Sequence, residues 1–280
     1  MSIRIVTDSS CDLPAELAQE LDIEVVPLTV IIDGQEYVEG VTMDASRFAH
    51  VMRNSTELPK TSQPSPHAFA SAFERVATTA NKAAEVLCIT LSSKLSGTFQ
   101  SACMARKFFR GTVNVIDSRS GTLGLGLMAL EAKRLATLGL SLSEITEKIE
   151  AMREQISVFV SLDTLENAVK GGRVRRVEAA VAQLLRMKIF VRTKDGEVVV
   201  CGKARGRKNM LAGFLEAMQT KAEDYRDRFV GITHVDNVAD AQVLADAIRH
   251  RFSPARIIIA PMGSTIATYA GVGALALAYW

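Results

Sequence analysis

The chain has 280 residues, 48% of them hydrophobic and 23% charged, which is enough apolar material for one large domain or two of ordinary size. That balance excludes a disordered chain, and no apolar run of about 18 residues offers a membrane-spanning helix. The net charge of +2 conceals an asymmetry: residues 170–208 carry twelve Lys and Arg against Glu178, Asp195 and Glu197, so that segment is +9 and the remainder −7.

The elements follow from pattern. Ile3–Thr7 is a strand, and Pro14 opens a helix at a position where its missing N–H costs nothing. Glu24–Ile32 reads as a strand ending at the hairpin signal Asp33-Gly34. A helix runs from Asp44 to Met52, residues 61–66 (T-S-Q-P-S-P) form an extended loop, and Pro66 opens a helix to about Ala80. Val86–Thr90 is a strand, Gly97–Phe109 a helix, Val113–Asp117 a strand, and Thr122–Leu138 a long helix. Ser141 and Glu144 have capping-box spacing and start the next helix. Strands alternating with helices imply βαβ units and a parallel sheet.

Beyond Ile156 the pattern changes. Val158–Val160 is a short strand followed by a helix and the turn Lys170-Gly171-Gly172-Arg173. A hairpin around Asp195-Gly196 sets Lys188–Arg192 against Glu197–Cys201. A helix spans roughly Asn209–Tyr225, a strand Phe229–Val235, a helix Ala239–Arg251 and a strand Arg256–Ala260. The longest charge-free run, Ile257–Trp280, is broken by Pro261, Gly263 and further glycines and reads as buried core. The expectation is an α/β chain of two domains: residues 1–156 with a parallel sheet, and residues 157–280 as an α+β domain with a mixed sheet.

Three segments place hydroxyls just past predicted strands: residues 7–10, residues 61–63, and residues 92–98 (S-S-K-L-S-G-T). Ligands of open α/β sheets bind outside the carboxyl ends of strands, and a helix N-terminus favours an anion there. The same residues also serve as helix caps. Ser93 lacks the nucleophile-elbow context of a hydrolase, and Gly121–Gly126 reverses the spacing of a dinucleotide fingerprint. Those glycines instead permit close helix packing. The cysteines Cys11, Cys88, Cys103 and Cys201 are scattered, and the four histidines show no metal spacing. They imply neither a metal nor a disulfide framework. The Lys170–Arg173 turn reads either as a helix C-cap whose basic residues complement the dipole or as a contact for a phosphate or an acidic partner. Phe190 is the one aromatic in the basic segment, and no nucleic-acid-binding pattern appears, so DNA and RNA are disfavoured partners. The start, Met1-Ser2-Ile3-Arg4, has no signal-peptide core, which predicts a cytoplasmic protein.

Taken in order, residues 7–13 (T-D-S-S-C-D-L), 61–66, 91–102 (L-S-S-K-L-S-G-T-F-Q-S-A), Asp117-Ser118, the K-G-G-R turn and residues 271–275 (G-V-G-A-L) resemble the DegV family over nearly the whole length. The resemblance implies a long-chain fatty acid held in a cleft between the two domains. It also implies a non-enzymatic protein, with no cofactor, that presents the carboxyl group to a separate fatty-acid kinase. By motif, Thr61 and Ser93 would hydrogen-bond the carboxyl group, with Ser62 and the Ser96-Gly97-Thr98 backbone as secondary donors. Arg173 would lie near the head group and engage the kinase or a phosphate, with Arg205 and Lys208 as weaker members of the same surface. The family also implies a monomer without integral membrane association. Two positions depart from its pattern. Tyr269-Ala270-Gly271-Val272-Gly273 stands where H-x-G-P-G is frequent, and Lys188-Ile189-Phe190 stands for K-P-I. Tyr269 still donates a hydrogen bond but lacks histidine's charge switch near neutral pH. The competing classes are a lipid-dependent acyl or phosphoryl transferase and a basic regulatory module for another anionic ligand.

Overall fold

The computed structural model describes residues 3–55, 57–78, 85–174, 187–220 and 224–280. The expected helix end near Ala80 and the cations Arg175, Arg176 and Arg186 lie outside the described residues, whereas the helix expected to reach Tyr225 does not: its helical residues end at Gln219, and Tyr225 is not helical.

The first half runs β1 (Ile3–Asp8), α1 (Ala15–Glu20), β2 (Ile23–Val26), β3 (Thr29–Ile32), β4 (Gln35–Val38), α2 (Ala45–Asn54), β5 (Lys60–Ser62), α3 (Pro66–Thr78), β6 (Glu85–Thr90), α4 (Thr98–Ala105), β7 (Thr112–Asp117), α5 (Thr122–Thr137) and α6 (Leu142–Gln155). The second half runs β8 (Ser157–Leu162), α7 (Glu166–Lys170), β9 (Met187–Lys194), β10 (Glu197–Arg205), α8 (Gly206–Gln219), β11 (Phe229–His234), α9 (Val238–Phe252), β12 (Arg256–Pro261), α10 (Ser264–Ala270) and β13 (Leu275–Tyr279).

Strands β2-β1-β6-β7 form an all-parallel sheet, and β10-β9-β8-β13-β11-β12 form a mixed one in which β11 and β12 are parallel. The division expected after residue 156 falls between α6 and β8. The small antiparallel sheet β4-β3-β5 corrects two expectations. The single strand expected over Glu24–Ile32 is broken at Pro27, whose missing N–H cannot continue a ladder, so β2 and β3 join different sheets. The expected loop at Thr61 instead begins as β5, which pairs with β3.

The two-residue turn at Asp33-Gly34 uses left-handed backbone at both positions, as does Asp195-Gly196. The second turn fixes Lys194 opposite Glu197, Arg192 opposite Val199 and Lys188 opposite Ala204. The expected pairing of Lys188–Arg192 with Glu197–Cys201 is therefore shifted. Helix α6 carries the complete capping box between Ser141 and Glu144.

Helix α5 is apolar on nearly every side because it is packed between the two large sheets, touching β1 and β6 on one and β11 and β13 on the other. Its glycines make that approach possible. A methyl at Gly126 would stand 2.7 Å from the Cys11 carbonyl, and one at Gly124 would overlap Val158 and Ser120. The core around α5 joins Ile5, Leu87 and Ile89 to Val158, Ile258 and Ala278, so both halves share it. Cys11 and Cys88 are buried within such packing, Cys103 is half-buried and Cys201 is exposed.

Candidate functional site

The site begins with three acids that the first half buries. Asp8 ends β1 and accepts from the Ser10 amide and, at 2.7 Å, from the Leu91 amide, which ties the β1 and β6 loops together. Burial pushes its pKa up to about 6, against the Ser10 hydroxyl and these amides, which favour the charged form. Asp12 accepts from the Gly263 amide at 2.9 Å and the Thr122 hydroxyl at 2.6 Å. Burial, with the Glu39 carboxylate adding to it, pushes Asp12 up to about 8. Glu39 follows β4 and accepts from the Ser9, Ser264 and Thr265 hydroxyls and, at 2.6 Å, from the Thr265 amide. Acids of the first half thus seat the start of α10, a helix of the second. Of the hydroxyl run at residues 7–10, Ser9 and Ser10 are used in this scaffold rather than turned toward open space.

Helix α10 delivers Tyr269 to a cavity between the parallel and mixed sheets. Centres of water-sized molecules can occupy about 110 Å³ of it. The walls are mostly aliphatic, including Leu28 and Leu91 from the first half and Val160, Leu162, Val191 and Met262 from the second. Several polar groups interrupt this wall, among them Thr61, Arg173 and Tyr269. The Tyr269 hydroxyl shares a 2.7 Å hydrogen bond with the Thr61 hydroxyl. The Arg173 guanidinium lies 4.6 Å from the centre of the Tyr269 ring, a cation–π contact. Its Nε donates to the Leu95 carbonyl at 3.3 Å and its Nη1 to the Gly171 carbonyl at 2.5 Å. Ser96, next to Leu95, also lines the cavity and shares a 2.9 Å bond with Thr98.

The structure therefore brings Thr61, Ser96, Arg173 and Tyr269 together on one cavity. The other expected residues lie elsewhere. The Ser93 hydroxyl donates to Asp117 at 2.5 Å while its amide donates to the same carboxylate, and it does not line the cavity. Ser62 is exposed on β5, Thr98 is buried in the first turn of α4, and Gly97 is covered by the Gln63 side chain. Arg205 and Lys208 are exposed where β10 meets α8, away from the cavity lining.

Sequence reasoning missed the cover. The β9–β10 hairpin lays Val191, Thr193 and Val198 over the cavity, and its tip is fixed by the Ser92 hydroxyl, which donates to the Gly196 carbonyl at 2.7 Å. Thr122 and Thr265 complete the lining from the acid-held side. The flexible Gly196 signalled a turn, but nothing local to it signalled the partner 104 residues away.

Chemically, this is a binding chamber with hydroxyl donors set in an apolar wall. The Ser93 hydroxyl is taken up by the Asp117 carboxylate, and among the described residues no group of three or more His, Cys, Asp or Glu is placed to hold a metal ion.

The DegV family model matches residues 2–280. A DegV domain-containing protein of Caldanaerobacter subterraneus is 35% identical over 270 residues, covering 96% of this chain and 95% of its own. Among solved structures, a fatty-acid-binding DegV family protein from Thermus thermophilus has a TM-score of 0.91 at 32% identity, covering 100% of this chain and 99% of its own. The Fatty Acid Kinase (Fak) B3 protein of Streptococcus pneumoniae, loaded with linoleic acid, has a TM-score of 0.86 at 27% identity, over 100% and 99%.

Proposed function

The chain belongs to the DegV family, and we propose that it holds a long-chain fatty acid in the cavity between its sheets and presents the carboxyl group to a separate kinase. The observation that carries this reading is the aliphatic chamber with Thr61, Ser96, Arg173 and Tyr269 on its wall. A chain of about 16 methylenes gains roughly 10 kcal/mol gross on burial, before ordering costs. The head group then needs only enough donors to avoid a buried unsatisfied carboxyl. Hydroxyls serve either protonation state of that carboxyl group. Ser93 reaches a carboxyl group only by giving up Asp117, so it ranks behind Thr61 as a donor and acts first by fixing its loop.

The relatives support the ligand class: the Thermus protein binds fatty acid, and the Streptococcus Fatty Acid Kinase (Fak) B3 protein is loaded with linoleic acid. Arg173 borders the cavity, and Arg205 and Lys208 add exposed cations on the same half. These are the contacts we assign to an incoming kinase or acyl phosphate. The chain itself performs no covalent step in this reading.

Organic extraction and mass spectrometry of the purified protein test it. One equivalent of fatty acid is expected, and Thr61→Val should weaken binding about 5- to 10-fold, the effect of about 1 kcal/mol for one hydrogen bond. An empty protein that refuses added fatty acid would sink the proposal. With ligand in place, Arg173→Ala should slow acyl-phosphate formation by an added fatty-acid kinase more than it weakens binding.

A further inference from the structure

The cavity uses only part of the basic segment. Along β9, Val191 lines the cavity and Phe190 and Lys194 line a different space, while Arg192 and Thr193 border both. There a second hollow lies between the hairpin and α8, with about 770 Å³ open to the centres of water-sized molecules. Half-buried Phe159 forms part of its floor, its ring centroid 4.7 Å from that of buried Phe190, and buried Tyr279 also lines it, its hydroxyl tied to the Ala217 carbonyl at 2.8 Å. Val199, directly opposite Arg192, and Ala217 on α8 extend the apolar surface.

The rim is cationic. Arg192, Lys194 and Lys203 border the hollow, and none of them makes an ion pair among the described residues. Glu216 on α8 is the one acid among the lining residues, while Glu197 sits across from Lys194 in the ladder. Arg192 and Thr193 border both hollows, so the two spaces abut at the hairpin. Inorganic anions would leave the apolar floor unused, and a neutral lipid would leave three cations unused.

We propose that this groove is a second, weaker site for an alkyl carboxylate, with the carboxylate among Arg192, Lys194 and Lys203 and the chain along the Phe159–Val199 floor. The proposal takes its ligand class from the function proposed above. Because its cations are exposed, the site is screened by salt more than the mostly aliphatic cavity is.

Titration of delipidated protein with palmitate below its micellar range, followed by native mass spectrometry and equilibrium dialysis, tests it. Two equivalents are expected, the first tight and the second weaker. The double variant Lys194→Glu/Lys203→Glu should weaken the second about tenfold or more and leave the first unchanged, and raising salt to about 0.5 M should do the same. Saturation at one equivalent, or a second equivalent indifferent to both changes, would overturn the proposal. So would hexadecanol filling the second site as well as palmitate. Loss of the tight equivalent alone would count against the proposed function and leave the groove standing.

Discussion

Tyr269 is held on three sides: its hydroxyl by Thr61, one ring face by Arg173, and its ring edge by the bare backbone of Gly171. Gly171 has ordinary right-handed geometry, with φ of −75°, so alanine there is acceptable to the backbone. Its methyl, however, would overlap the Tyr269 ring. Gly171→Ala should therefore leave the fold intact but displace the ring, and fatty-acid affinity should fall about tenfold, the scale of one or two lost hydrogen bonds. Paired thermal melts and fatty-acid titrations check this; unchanged affinity would mean that the ring's position does not matter to the ligand. The K-G-G-R turn was legible in sequence as a helix end with cations. That the first of its glycines makes room for an aromatic ring was not, because Tyr269 lies 98 positions away and side-chain packing leaves no local signature.

At the scale of elements, those with local grammar were readable: the Ser141 capping box, the two-residue hairpin turns, and the long helix α5. Helix α10 and strand β13 were not, and they lie in the charge-free run that read only as core. Seven residues give α10 too few turns for a periodic signal, and every residue of β13 is buried, which erases alternation. The serine run past β6 was legible as a loop of interest, but adjacent serines there point different ways, Ser92 to the hairpin tip and Ser93 to Asp117. Ser92→Ala removes the donor to a buried carbonyl at Gly196, at a cost of about 1–3 kcal/mol. The variant should lower the melting temperature and speed fatty-acid release, measured by stopped-flow transfer to an acceptor. An unaltered release rate would show that the hairpin does not cover the exit.

For the whole molecule, the buried acids set a direction for stability against pH. Asp12 and Asp8 titrate near about 8 and about 6 when folded, above the free carboxyl value of about 3.9. Between those limits the folded chain binds more protons than the unfolded one, so these groups lower stability as pH rises from about 4 through about 8. Melting temperatures between pH 5 and pH 9 should fall accordingly. Asp12→Asn should flatten the slope and melt higher than the wild type at pH 9, since its amide still accepts from Gly263 and meets the Thr122 oxygen as a donor. A wild type more stable at pH 9 than at pH 5 would contradict this account.

The docking of α10 also has a consequence in time. Asp12 waits 251 residues for Gly263, Glu39 waits 226 for Thr265, and Thr61 waits 208 for Tyr269. At a synthesis rate of about 5–20 residues per second, the acids of the nascent first half stay hydrated for roughly 10–50 s before their donors leave the ribosome. The chamber is thus closed by a segment made long after the first half, which passes the intervening synthesis without the partners that complete it.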